Sequence, residues 1–227
     1  MFSRLELLIG KENVEYLKNK KILIVGLGGV GGNCILSLVR SGISNVVLVD
    51  YDIVDESNLN RQVIAYQSTI GKKKIEVMKE LILDINPNCN VICHDLFVTE
   101  ENIPTILDER YDYVIDACDS VPAKKGLIRY CFDNDIPIIS SMGTGNRKDP
   151  SKLEIIDLRK TQGDPLARIF RKWFRDEKIK GKLMVLNSCE VPKKTQGVIA
   201  SCSFVPNSAG NLIAHYVFEE LLEQNKK

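Results

Sequence analysis

Residues 21–31 read KILIVGLGGVG. The apolar run 21–25 is continuous rather than alternating, which marks a strand buried on both faces of a parallel sheet. It passes straight into the glycine cluster at 26–31. From there Val30, Cys34 and Leu38 recur at helical spacing, so a helix is predicted over 30–40, ending before Gly42. A strand, a glycine turn and a helix in that order bring backbone N–H groups and the positive end of a helix dipole to one point. Glycines such as Gly28, Gly29 and Gly31 allow a tight turn there and the close approach of a phosphate. Asp50, 19 residues beyond Gly31, ends the next strand, 45–49. An acid at that place can accept hydrogen bonds from ribose hydroxyls.

The alternation continues along the chain. Helices are predicted over 72–85, stopped by Pro87, and over 123–132. Strands are predicted over 91–93, weakly, and over 113–116 and 136–140. Beyond residue 145 come an edge strand at 153–158, a basic amphipathic helix at 165–175 and a strand at 183–187. A closing helix follows at 207–223, with Asn207 or Ser208 as its cap. This order predicts an α/β fold: a doubly wound, mostly parallel, Rossmann-like sheet with a C-terminal elaboration. No Pro/Gly/Ser linker divides the 227 residues, so they read as a single domain. Residues 1–145 form its nucleotide-binding core and residues 146–227 an elaboration on the substrate side.

Composition excludes several classes. With 44% apolar and 27% charged residues the chain is an ordinary globular one rather than a disordered one. No uncharged apolar run approaches the length of a membrane span. The seven cysteines are an odd number and form no CxxC pair, and the opening MFSRLE has no signal-peptide character. These features predict free thiols in a reducing cytoplasm and argue against a four-thiolate zinc site. The net charge of +1 conceals an asymmetry. Residues 147–194 hold 14 basic and 7 acidic side chains, and the remainder holds 17 and 23.

A glycine loop and Asp50 alone suit NAD as well as ATP. The stretch DYDIVDESNLNRQ at 50–62 adds groups that a simple NAD site does not need, among them Asp52, Asn58 and Arg61. Lys74 follows in GKKK at 71–74, and DACD at 116–119 ends a later strand. In a parallel sheet the strand C-termini line one crevice, so these groups can converge on one ligand. An arginine and a lysine suit a triphosphate, and the Asp119 carboxylate suits its magnesium. The absence of a Walker A pattern argues against a P-loop phosphotransferase.

These motifs resemble the ubiquitin-activating-type, or ThiF/MoeB-like, adenylating enzymes. The resemblance rests on GLGGVG at 26–31, Asp50 with Asp52, SNLNRQ at 57–62, Gly71 with Lys74, and DACDS at 116–120. It implies that Asn58, Arg61 and Lys74 grip the ATP phosphates, that Asp119 holds Mg²⁺ and that Asp50 binds the ribose. It also implies a homodimer, in which Arg4 enters the neighbouring active site. Beyond residue 140 the segments SSMGTGNRKDP (140–150), DLRKT (157–161), DPLAR (164–168) and NSCE (187–190) are similar to the tRNA threonylcarbamoyladenosine dehydratase branch. That branch implies ATP-dependent cyclisation of a modified adenosine in tRNA through an acyl-adenylate. A sulfur-relay protein partner is compatible with the same resemblance.

An RNA partner would meet Arg168, Arg171, Lys172 and Arg175 on one side of the basic helix, with Trp173 or Phe174 available to stack a base. The alternative is a solvated basic helix with Trp173 in the core. Cys189 and Cys202 are candidates for thiol chemistry or ordinary loop thiols, Cys118 reads as packing, and His94 and His215 read as structural. Three rival functions stand beside the main one. They are activation of a ubiquitin-like sulfur-carrier tail, NAD-dependent redox chemistry, and a binding module on an inactive adenylation fold.

Overall fold

The computed structural model describes residues 1–226. Two short helices open the chain, α1 (Ser3–Ile9) and α2 (Lys11–Lys18), neither of them predicted from the sequence. α1 has no buried residue, and α2 buries only Val14 and Leu17. Segments of seven and eight residues with so few buried positions offer too short a window for a periodic reading. There follow β1 (Lys21–Val25), α3 (Gly29–Arg40), β2 (Asn45–Val49), α4 (Lys74–Ile85) and β3 (Asn90–His94). A single-turn helix α5 (Ile103–Ile106) precedes β4 (Tyr113–Asp116), α6 (Val121–Asp133) and β5 (Ile138–Ser141). The elaboration supplies β6 (Leu153–Asp157), α7 (Pro165–Asp176), β7 (Met184–Ser188) and α8 (Phe204–Asn225).

The strands form one seven-stranded sheet in the order β3-β2-β1-β4-β5-β7-β6. Every pairing is parallel except β6 with β7. This is the doubly wound architecture expected, and the elaboration extends the sheet itself rather than standing apart from it. Alternate side chains of β1 divide between two layers. Ile22 and Ile24 face a cluster built with α3, α4 and α8, whereas Leu23 and Val25 face α6 and α7. Burial of each such side chain contributes roughly 1.5–3 kcal/mol, which is why a five-residue strand with no polar face is stable only at the centre of a covered sheet.

α8 lies directly on α3. A Cβ on Gly210 would stand 2.3 Å from the Val30 carbonyl oxygen, so only glycine permits this crossing. α8 begins at Phe204 with Ser203 as its N-cap residue, not at Asn207 or Ser208. Pro206 falls in the first turn, where its missing N–H has no helical partner to lose. Asn207 is therefore inside the helix. Its Nδ2 donates to Ser203 Oγ at 2.9 Å, and its Oδ1 accepts from Asn33 Nδ2 at 2.8 Å.

Candidate active site

β1 lies between β2 and β4, the point at which the strand order reverses, and ligands of doubly wound sheets bind outside the strand ends at such a point. A cleft of about 740 Å³ opens there. The glycine loop forms its floor. Gly26 has φ +91°, and a Cβ on Gly31 would stand 1.9 Å from the Gly26 carbonyl oxygen. Gly31 thus serves the packing of α3 against β1, while Gly28 and Gly29 line the cleft. Gly28 is the N-cap of α3 and supplies no side-chain acceptor. No side chain caps the first N–H groups of α3, at the edge of the cleft.

Asp50 is buried at the end of β2. Its Oδ2 accepts from Leu27 N at 2.6 Å and its Oδ1 from Asp52 N at 2.8 Å. Burial pushes its carboxyl above the ordinary value, and the two backbone donors oppose that rise. Asp52 is half-exposed and accepts from the buried Lys74 Nζ at 2.8 Å. Asn58 is buried in a capping box with Asp55: its Oδ1 accepts from Asp55 N at 3.1 Å, and Asp55 Oδ1 accepts from Ser57 N at 2.8 Å. This box makes the sharp turn that carries Arg61 to the cleft, where its Nη1 donates to Ser57 O at 2.7 Å and Asn60 Oδ1 at 2.9 Å. Asp119, just past β4, is exposed and lines the same cleft. The cleft thus brings together Asp50, Asp52, Asn58, Arg61, Lys74 and Asp119. Arg4 lies on α1, exposed and away from its own chain's cleft.

Two buried ion pairs support the cleft, and neither was assigned a role from the sequence. Lys124, almost wholly inaccessible, donates to Asp116 Oδ2 at 3.0 Å and to Ser141 O at 2.8 Å. Ser140 Oγ completes the cluster by donating to Asp116 Oδ2 at 2.6 Å. On the other side Arg147 Nη2 donates to Asp164 Oδ2 at 2.7 Å, and its Nε to Glu190 O at 3.0 Å. Strand-end residues and a lysine eight positions on carry no periodic signature, so only the fold reveals these partners.

Asp164 Oδ1 also caps α7 by accepting from Ala167 N at 2.7 Å. Arg168, Lys172 and Arg175 are exposed along α7, as the spacing predicts. Arg171 is not free: its Nη1 donates to the Thr161 carbonyl at 2.8 Å and it is half-buried. Phe174 is buried in the core and cannot stack a base. Trp173 is half-buried between Phe170 and Phe174, with Lys125 Nζ and the Arg129 guanidinium each 5.6 Å from its ring centre.

All seven cysteines are free. Cys118 Sγ donates to Asp116 Oδ1 at 3.1 Å, and burial beside that carboxylate pushes its thiol far up, which disfavours the reactive thiolate. Cys189 is exposed and Cys202 half-buried, and neither lines the cleft. Among the described residues no cluster of three His, Cys, Asp or Glu side chains could hold a metal ion by itself, and no helix is long and apolar enough to cross a membrane.

The glycine loop at the start of α3, the buried acid at the end of β2 and the side chains of Arg61, Lys74 and Asp119 share one cleft at the strand ends, where doubly wound sheets bind nucleotides. The chain belongs to the ThiF family, whose profile matches residues 2–209. Within that family it groups with the tRNA threonylcarbamoyladenosine dehydratases. It is 41% identical to the one from Bacillus subtilis (strain 168) over 240 residues, covering 98% of this chain and 94% of that protein. The crystal structure of E. coli tRNA N6-threonylcarbamoyladenosine dehydratase, TcdA, in complex with AMP superposes with a TM-score of 0.94 at 33% identity, covering 100% of this chain and 96% of that one. The structure of the same E. coli enzyme in complex with ATP gives 0.94 at 33% identity, over 99% and 95% of the two chains.

Proposed function

We propose that this protein is an ATP-dependent enzyme that cyclises the threonylcarbamoyl group on an adenosine of tRNA. A carboxylate is a poor electrophile because its leaving group would be oxide. Its attack on the α-phosphorus of ATP breaks the α–β phosphoanhydride bond, expels pyrophosphate and leaves an acyl-adenylate. The carbamoyl group of the same modification then attacks the acyl carbon. One original carboxylate oxygen departs with AMP, and a urea proton is released. Because the nucleophile is tethered to its electrophile, ring closure proceeds at high effective concentration.

In this reading the α3 N-terminus with Gly28 and Gly29 faces the phosphates, and Asp50 accepts from the ribose. Asn58, Arg61 and Lys74 hold the phosphate chain, with Asp52 orienting Lys74. Positive groups placed where charge builds on the leaving phosphates lower the barrier. Asp119 is the candidate Mg²⁺ ligand. A lone exposed carboxylate fits this metal, which commonly takes one or two protein carboxylates and completes its shell with phosphate oxygens and water. When bound, Mg²⁺ would neutralise phosphate charge. Arg4 is assigned to the cleft of a second copy in a homodimer, since it is exposed and does not line its own. The chain acts as one domain, because β6 and β7 continue the sheet that bears the site. Exposed Arg168, Lys172 and Arg175 on α7 are assigned to tRNA phosphates, and the cytoplasm is the compartment this substrate implies.

The observation that carries the reading is the single cleft that gathers Arg61, Lys74 and Asp119 beside the capped start of the basic helix. The test is exchange of labelled pyrophosphate into ATP, with threonylcarbamoylated tRNA in one arm and a ubiquitin-like carrier ending in Gly-Gly in the other, followed by nucleoside analysis of the tRNA. Exchange and a cyclic nucleoside only in the tRNA arm support the proposal. Exchange only with the carrier would replace it by the protein-tail alternative, and tight NAD binding without ATP binding would refute both.

A further inference from the structure

Gln62 closes the SNLNRQ segment and lines the cleft, yet the roles assigned above leave it without a task. Its backbone is pinned on both sides: the N–H donates to Asn58 O at 2.9 Å, and the carbonyl accepts from Ala65 N at 3.0 Å. The side chain is only 7% exposed, and its Oε1 is buried without any hydrogen-bond donor among the described residues. Its Nε2 lies over the glycine loop, 3.9 Å from where a Cβ on Gly28 would stand. An unpaired buried amide oxygen weakens a fold, and an apolar side chain of the same length would avoid that loss. The terminal torsion of glutamine is broad and roughly two-fold, so the amide can turn Oε1 toward the cleft without moving the backbone.

The unpaired atom is an acceptor, and this narrows its partner. Phosphate oxygens offer only acceptors at neutral pH and would leave Oε1 unpaired. The ribose hydroxyls fall to Asp50 at the end of β2. The donors that remain are the adenine amino group, water on the bound metal and the urea of the threonylcarbamoyl substrate, and of these the urea is the one whose orientation decides ring closure. We infer that Gln62 is a substrate-contacting residue whose Oε1 accepts a urea N–H of the threonylcarbamoyl group and so holds the carbamoyl group facing the activated carboxyl. This rests on the cyclisation reading above. Gln62 acts after adenylation, by orienting the second nucleophile, and is not needed to bind ATP.

Gln62→Met and Gln62→Glu separate this role from packing. The substrate is tRNA carrying threonylcarbamoyladenosine, with ATP and Mg²⁺, and the readouts are Tm, pyrophosphate exchange, and cyclic nucleoside formed per AMP released. Gln62→Met should melt at or above the wild-type temperature and retain exchange. Its cyclic product per AMP should fall about tenfold, the scale of one lost hydrogen bond, as misoriented acyl-adenylate is lost to water. Gln62→Glu keeps the acceptor and should restore much of that ratio. An unchanged ratio in Gln62→Met would overturn the inference. So would a raised KM for ATP at constant ratio, which would mark a phosphate contact, or a lower Tm with AMP and product falling together, which would mark packing. Wild-type protein that releases AMP without any cyclic nucleoside would instead remove the functional reading on which the inference stands.

Discussion

The two walls of the cleft each rest on one buried ion pair, but they are built differently. In the nucleotide wall Lys124 and Asp116 are eight residues apart and join the C-terminal ends of two adjacent parallel strands, β4 and β5, through Asp116, Ser140 and Ser141. In the substrate wall Arg147 ties loops together: the Gly143 turn, the Glu190 backbone and the Asp164 cap of α7. Around the first pair the backbone is held by the sheet ladder. Around the second it is held by these side chains and by isolated backbone bonds, Asn146 N to Ala200 O and Lys193 N to Asn146 O among them, and the neighbouring segment exposes Val191, Val198 and Ile199 to solvent. A wall whose geometry comes from strand ends presents its groups in a fixed arrangement suited to phosphate chemistry. On the proposed function, the wall fastened by loops is the one that faces the polymer substrate.

The sharpest break in this comparison comes from Lys124→Met. It leaves Asp116 charged and fully buried between two strands, and unfolding should become easier by about 3–5 kcal/mol. Denaturant titration measures this. A loss below about 1 kcal/mol would show that the nucleotide wall does not depend on its ion pair. Asp119→Ala should have the opposite profile, with stability nearly unchanged because the residue is exposed, and adenylation reduced about 10²–10³-fold. Near-full pyrophosphate exchange at low Mg²⁺ would remove Asp119 from the metal site.

The substrate wall is sharpened by reversing charge at Arg168, Lys172 and Arg175, leaving Arg171 in place because it secures Thr161. If these three meet phosphates, tRNA affinity should fall about tenfold or more and its salt dependence should flatten. The KM for ATP should stay constant, since that site belongs to the other wall. Equal affinities and salt slopes for variant and wild type would return α7 to the role of a solvated helix.

The smallest effect concerns pH. Burial raises the Asp50 carboxyl above its ordinary value of 3.8. The shift favours the folded chain below pH 3.8, and that benefit is lost as pH rises through the raised value, so ionised Asp50 is a cost to the fold at neutral pH. For binding the consequence runs the other way: acidification protonates Asp50 early, and ATP affinity should begin to fall above pH 3.8. Isothermal titration across that window, with Asp50→Asn as the reference that lacks this one titration, would expose an error if wild type and variant lost affinity in parallel.

Much of the nucleotide wall was legible because its parts are local. Gly26–Gly31, the end of β2 and the SNLNRQ segment occupy consecutive stretches whose roles follow from backbone geometry. The substrate wall was legible in charge but not in contact. Arg171 and Phe174 lie on the same helix as Arg168 and Arg175, yet spacing alone could not tell which arginine bonds to Thr161 or which aromatic enters the core. The α1 and α2 helices escaped because each spans only about two turns and buries at most two side chains, and the true start of α8 was hidden because Pro206 reads as a helix breaker unless it falls in the first turn.

By itself the chain of amino acids determined the alternation of strands and helices, the glycine turn, the acids at strand ends and the location of the basic segment. Each of these is a property of neighbours in sequence: periodic apolarity, permissive backbone and charge density. Tertiary structure decided the rest. It selected Lys124 for Asp116 and Arg147 for Asp164, engaged Arg171, buried Phe174 and left Gln62 Oε1 without a donor. Those outcomes depend on residues that meet only when the sheet closes, where low dielectric and close packing make a partner, or its absence, decisive.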